Sequence, residues 1–159
     1  MTAILVIAGI VIALDQVVKL IVLDRLPAGA PVHVIEGLVS LTLVMNPGLA
    51  FGLLGGLDPA WRWLVAVLSI GALLILTRMA SRVLAQGSGV DAAAIALVFG
   101  GAVGNLIDRA RFGAVVDFVD LHYRGWHWPA FNVADSAITV GVALLAIRLL
   151  LWPTPRAAR

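Results

Sequence analysis

Gly100-Gly101-Ala102-Val103-Gly104-Asn105-Leu106-Ile107-Asp108-Arg109 closes an apolar run that begins at Ala92, and it turns polar where a membrane segment should end. Downstream stand Val115-Val116-Asp117-Phe118 and Phe131-Asn132-Val133-Ala134-Asp135. The three stretches place three carboxylates, an arginine and two asparagines at the edges of segments otherwise suited to lipid. Ionisable groups at membrane depth are costly unless paired, hydrated or functional, so this concentration points to a site. Asp117 and Asp135 lie on separate elements in strongly apolar surroundings. They are the raw material of an aspartyl dyad.

The rest of the chain supports a membrane fold. It is 62% hydrophobic and 13% charged, with a mean hydropathy of +1.05, whereas soluble domains carry about 45–50% apolar and about 25% charged residues. Spans are expected near residues 2–23, 61–79, 90–108 and 132–152. A spanning helix needs about 20 residues, and the run between Asp91 and Asp108 has 16. That helix therefore starts earlier or continues through Asp108 and Arg109 into a watery cavity. The expected fold is membrane all-α: one domain over residues 1–159 with four transmembrane helices.

Between the first two spans, Pro27 to Pro31 breaks the helical pattern. Val32 to Gly37 and Leu38 to Met45 then read as two short strands around a Glu-Gly turn, rich in β-branched residues and ended by Asn46-Pro47-Gly48. They are expected to form a small β-sheet at the outer membrane surface. Asp108 to Ala130 reads as a polar loop. Trp61 and Trp63 are suited to anchor at an interface. Both termini and the Arg78–Arg82 loop are placed in the cytoplasm, leaving the carboxylates near the outer face.

Asp117 and Asp135 are 18 positions apart, too far for one helical face, so tertiary structure must bring them together. Valines and Phe118 around Asp117 favour its neutral form by desolvation. Asp135 sits in a first helical turn, where the dipole favours an anion. Two adjacent carboxylates do not both ionise cheaply, so the pair shares a proton, one member acting as base and the other as acid.

These blocks resemble the lipoprotein signal peptidase (signal peptidase II) family of bacterial integral membrane aspartyl peptidases. The resemblance is carried by Asp15-Gln16-Val17-Val18-Lys19, Asn46-Pro47-Gly48-Leu49-Ala50-Phe51-Gly52, Gly100 through Arg109, Gly113 through Phe118, and Phe131 through Ser136. It implies that Asp117 and Asp135 are catalytic and that Asn46, Gly48, Asn105, Arg109 and Asn132 line the substrate cleft. It also implies that Asp15 and Lys19 support the site from the first helix. Leu49 departs from the small residue usual at its position. The implied reaction removes the signal peptide from diacylglyceryl-modified prolipoproteins, cutting just before the lipid-modified cysteine. The expected enzyme is a monomer in the bacterial inner membrane, in contact with its lipid substrate and membrane lipid, without metal or cofactor.

Other readings fit less well. Asp15 and Lys19, at i,i+4 spacing, suit a buried structural pair. Gly100, Gly101 and Gly104 suit close helix packing rather than a phosphate loop. His122 and His127 lack the spacing and glutamate of H-E-x-x-H. No serine, Ser40 included, has a convincing histidine partner on a helix. Basic residues are scattered, so nucleic acid is not an expected partner. A proton-relay transporter would string its carboxylates along the membrane path, but here they cluster at helix ends, and no inverted repeat is visible.

Overall fold

The structure, a computed structural model, describes residues 2–27, 29–48, 67–71, 73–75, 77–78 and 89–151. The elements are α1 (Thr2–Arg25), β1 (Val32–Ile35), β2 (Val39–Asn46), α2 (Gly89–Phe112), β3 (Val115–Tyr123), β4 (Trp126–His127) and α3 (Val133–Leu151). Residues 67–71, 73–75 and 77–78 are also helical and fall inside the expected span 61–79. The remainder of that span, with Trp61 and Trp63, lies outside the described residues, as do Leu49 and Arg82. The fold is mostly helical with a small antiparallel sheet. Among the described residues, α1 and α2 are long and apolar enough to cross a membrane, with mean hydropathies of 2.4 and 1.8 over their most apolar windows.

α1 is built inside out relative to a soluble helix. Leu5, Ile10, Leu14, Val17 and Ile21 face outward, while Ala8, Asp15, Lys19 and Val22 are buried. The buried set recurs at helical spacing and forms one stripe, with Ala8, Asp15 and Lys19 against α2 and Val22 against β3, the orientation expected of charges in a membrane bundle.

Glycines set how close the helices come. A Cβ on Gly100 would lie 2.9 Å from the Ala8 carbonyl oxygen, and one on Gly104 would lie 2.7 Å from Oδ2 of Asp15. Gly101 faces α3 instead, where a Cβ would run into the Ala134 carbonyl. Close backbone approach of this kind is how helices associate where lipid removes the hydrophobic drive.

α2 runs from residue 89 to 112, one turn beyond the expected 90–108. No breaker intervenes before Gly113, whose φ of 70° supplies the left-handed C-terminal position. Its amide closes on the Arg109 carbonyl at 3.0 Å. Asn105, Asp108 and Arg109 thus share one rigid helix.

The expected polar loop from Asp108 to Ala130 is corrected by β3 and β4. The sheet has the order β1-β2-β3-β4, so two of its four strands come from after α2 rather than from between the first two spans. Asp117, Asp120 and His122 disguise β3, yet it carries the β-branched and aromatic residues that favour a pleated surface. The β3–β4 turn has positive φ at Arg124 (50°) and Gly125 (83°), the backbone of a tight two-residue hairpin. Val22 of α1 packs with Val116 and Phe118 of β3 in the core under the sheet. That contact seats β3 on the end of α1, beside the start of α3.

Candidate active site

β2 and β3 pair antiparallel with Val44 opposite Asp117 and Asn46 opposite Val115, separated by a register shift from the Leu41–Val119 pair. The pairing carries Asn46 to Asp117, where Nδ2 of Asn46 donates to Oδ2 at 2.9 Å. From the other side, Nδ2 of Asn132 donates to Oδ1 at 2.7 Å. Asp117 is 2% exposed. Burial pushes its carboxyl from 3.8 up to about 6; the charge of Asp135 adds to the rise, and the hydrogen bonds from Asn46 and Asn132 oppose it.

Asp135 is fixed by the way α3 begins. Asn132 is the N-cap: its Oδ1 accepts from the Asp135 amide at 2.9 Å, and Oδ2 of Asp135 accepts from the Asn132 amide at 3.3 Å. This reciprocal pair is a capping box with aspartate in the usual Glu/Gln position. Asn105 of α2 donates Nδ2 to Oδ1 of Asp135 at 2.8 Å. One fully buried residue, Asn132, therefore touches both carboxylates.

Beneath this pair lies a buried ionic cluster. Lys19 Nζ is 2.9 Å from Oδ2 of Asp15 and 2.7 Å from Oδ2 of Asp108, and all three side chains are almost fully buried. Lys19 also donates to Oδ1 of Asn105 at 3.1 Å. Oδ1 of Asp15 accepts from the Ala134 amide at 2.9 Å, beside Asp135. Oδ2 of Asp108 accepts from the Val116 amide at 3.1 Å, beside Asp117. The cluster ties down the backbone next to each member of the dyad. Breaking a buried ion pair by removing one partner typically costs about 3–5 kcal/mol, because a charge is left uncompensated.

Asp108 has a larger part here than sequence reasoning gave it. Its place three residues after Asn105 on one helix is the signal, since such positions share a face. Gln16 was also missed as a contact: its Nε2 donates to Oδ1 of Asp108 at 2.9 Å and to the Gly104 carbonyl at 3.2 Å.

Arg109 and Gly48 meet at the rim. Nη2 of Arg109 donates to the Gly48 carbonyl at 2.9 Å, while Oδ1 of Asn46 accepts from the Gly48 amide at 3.0 Å. The latter is an Asx turn that aims the Asn46 amide at Asp117. The Nε of Arg109 is buried with no hydrogen-bond partner among the described residues.

Ser40 is expected to lack a histidine partner on a helix; the structure gives it two histidine partners on strands. Its Oγ lies 2.8 Å from Nδ1 of His33 and 2.8 Å from Nε2 of His122. The sequence hides this because His122 is reached only through β2–β3 pairing. Ser40 is 1% exposed, which closes its hydroxyl to a peptide bond. The trio stitches β1, β2 and β3 together.

A family model described as "Signal peptidase (SPase) II" matches residues 7–151. The chain belongs to the signal peptidase II family. The chain is 45% identical to the lipoprotein signal peptidase of Desulforapulum autotrophicum, over 94% of this chain and 92% of that one. It is also 45% identical to that of Polynucleobacter necessarius subsp. necessarius, over 89% of this chain and 85% of the relative. A bacterial membrane enzyme structure obtained by the in meso method superposes with a TM-score of 0.79 at 33% identity, covering 97% of this chain and 96% of that one. The signal peptidase II match spans every site residue from Asp15 to Asp135. A signal peptidase is a protease, and the membrane character of its relative accords with α1 and α2.

Proposed function

We propose that this chain is an aspartic endopeptidase of the bacterial inner membrane that removes the signal peptide from diacylglyceryl-modified prolipoproteins, cutting just before the lipid-modified cysteine. The observation that carries the reading is the meeting of Asp117 and Asp135 on Asn132, each carboxylate oxygen already holding one hydrogen-bond donor. Two such groups sharing a proton supply both halves of peptide hydrolysis: one withdraws a proton from water as the other gives one to the scissile carbonyl. No metal or cofactor is needed for that cycle.

Asn46, Gly48, Asn105, Arg109 and Asn132 position the substrate, with Asp15 and Lys19 behind them. The Arg109 guanidinium supplies positive charge at the cleft and braces the Asn46–Gly48 turn. Four helices, α1, the segment at 61–79, α2 and α3, span the membrane with both termini in the cytoplasm. The dyad stands near the outer face, with the sheet on the membrane surface. A monomer takes the acyl chains of its substrate from the bilayer between helices.

The test is incubation of the purified protein with a prolipoprotein in two forms, diacylglyceryl-modified and unmodified. Signal-peptide release from the modified form is expected, ending just before the modified cysteine. No release from it overturns the assignment, and equal release from both forms overturns the lipid requirement.

A further inference from the structure

The two carboxylates of the dyad are not equivalent in their surroundings. Asp117 lies on a strand between Val116 and Phe118, and both of its donors, Asn46 and Asn132, are neutral amides. Asp135 occupies the first turn of α3, at the partially positive end of the helix dipole. One of its donors is itself tied to a cation: Lys19 Nζ donates to Oδ1 of Asn105 at 3.1 Å, and Nδ2 of the same amide donates to Oδ1 of Asp135 at 2.8 Å. A positive charge on the oxygen end of an amide polarises it, and the N–H at the other end becomes a stronger donor, as in any hydrogen-bond chain.

We propose that Lys19, acting through Asn105, holds the negative charge of the dyad on Asp135 and leaves the shared proton on Asp117. This rests on the aspartic reading of the site and adds the division of labour within it. Asp135 is the base and Asp117 the acid. Lys19 and Asn105 are positioning residues that set the choice.

The hydrolytic cycle then closes without any outside reactant. Asp135 takes a proton from water as the water oxygen bonds to the scissile carbonyl carbon, and Asp117 gives its proton to the carbonyl oxygen. The resulting gem-diol returns a hydroxyl proton to Asp117 while Asp135 delivers its proton to the nitrogen. The C–N bond breaks, leaving an acid, an amine and the original protonation state. Asn105 keeps its amide on the base throughout, and the backbone beside each carboxylate is held by Asp15 or Asp108.

Infrared difference spectra of the full-length protein in lipid nanodiscs between about pH 5 and about pH 7, across the range where Asp117 gives up its proton, test the assignment. The C=O stretch of a protonated carboxyl should be present in the wild type, lost in Asp117→Asn and kept in Asp135→Asn. In the Asp117→Asn background Asp135 is the sole dyad carboxyl, and adding Asn105→Ala should make the band reappear as Asp135 loses its charged tie. A band that survives Asp117→Asn and vanishes with Asp135→Asn reverses the roles and overturns the proposal. So does a wild type without the band, and an unchanged spectrum on adding Asn105→Ala removes the Lys19–Asn105 relay. Peptide cleavage is a separate readout. If both Asp→Asn variants still cleave, the aspartic reading itself fails, whatever the band does.

Discussion

Asn132 donates its side-chain amide to Oδ1 of Asp117 over 2.7 Å. The same side chain caps α3 through the Asp135 amide, so the residue that starts the helix also sets the distance between α3 and β3. Helix capping and site assembly are one event here.

The two roles separate by substitution. Asn132→Ser retains an N-cap oxygen but is too short to donate to Asp117, whereas Asn132→Ala loses both. Asn132→Ser should lose roughly 1–3 kcal/mol of stability, because buried acceptors on Asn105, Val116 and Asp117 each lose a donor. Its kcat should fall at least about tenfold, the loss expected when about 1.4 kcal/mol of transition-state orientation goes. Asn132→Ala should lose a further ~1 kcal/mol of stability from the missing cap. Wild-type kcat in both variants removes Asn132 from the site.

Asp117 also sets a pH dependence of stability. Its carboxyl is raised from 3.8 to about 6 in the fold. Between those values the unfolded chain has released the proton that the folded chain retains, so wild-type stability falls as pH rises through this window and levels off above it. Asp117→Asn abolishes that slope. From about pH 4 to about pH 7 the variant should gain on the wild type by up to roughly 3 kcal/mol in unfolding free energy. A difference that is flat or of opposite sign across that range contradicts the raised carboxyl.

Much of this arrangement is legible in the sequence, and the illegible part has a common cause. The approximate extents of α1, α2 and α3 follow from apolar runs bounded by charge, proline and glycine, all local signals, although α2 continues one turn past the charges expected to end it. β3 was not local: its polar residues mask the alternation, and its partner β2 lies some seventy residues upstream, the separation of Asn46 and Asp117 being 71. Asp117 and Asp135 stand out because carboxylates in apolar company are rare. Asp108 and Gln16 do not, because their value lies in what they touch: Lys19 and the Val116 amide for one, Asp108 and the Gly104 carbonyl for the other. Ser40 gained two histidines only when the strands paired.

Helix packing makes a sharp contrast between glycines. A Cβ at Gly101 would meet the Ala134 carbonyl and Ile138, whereas one at Gly9 would meet nothing within 4 Å. Gly101→Ala should destabilise by roughly 1–3 kcal/mol through overpacking and lower activity by displacing the start of α3. Gly9→Ala should be neutral or stabilising by up to about 1 kcal/mol, since alanine loses less freedom in a helix. Thermal melts in detergent read both, and equal melting temperatures would contradict the close α2–α3 approach.

Topology is open to single-cysteine labelling, since the chain has no native cysteine. A cysteine at Arg124, on the tip of the β3–β4 hairpin, should react with an impermeant reagent in intact cells. One at Ser88 should react only after permeabilisation. The reverse pattern would turn the proposed orientation over.

The central claim is that Asp117 and Asp135 do the chemistry as a unit. Asp117→Asn, Asp135→Asn and the double variant should be assayed for signal-peptide release from a diacylated prolipoprotein in lipid, with melting curves to confirm folding. Asp120→Asn, whose carboxylate instead accepts from His127 at 3.0 Å, serves as the control. Each single substitution should abolish cleavage, the double should be hardly worse than either, as for residues acting together, and Asp120→Asn should keep most activity. Substantial turnover by a folded Asp117→Asn or Asp135→Asn protein would contradict the aspartic mechanism.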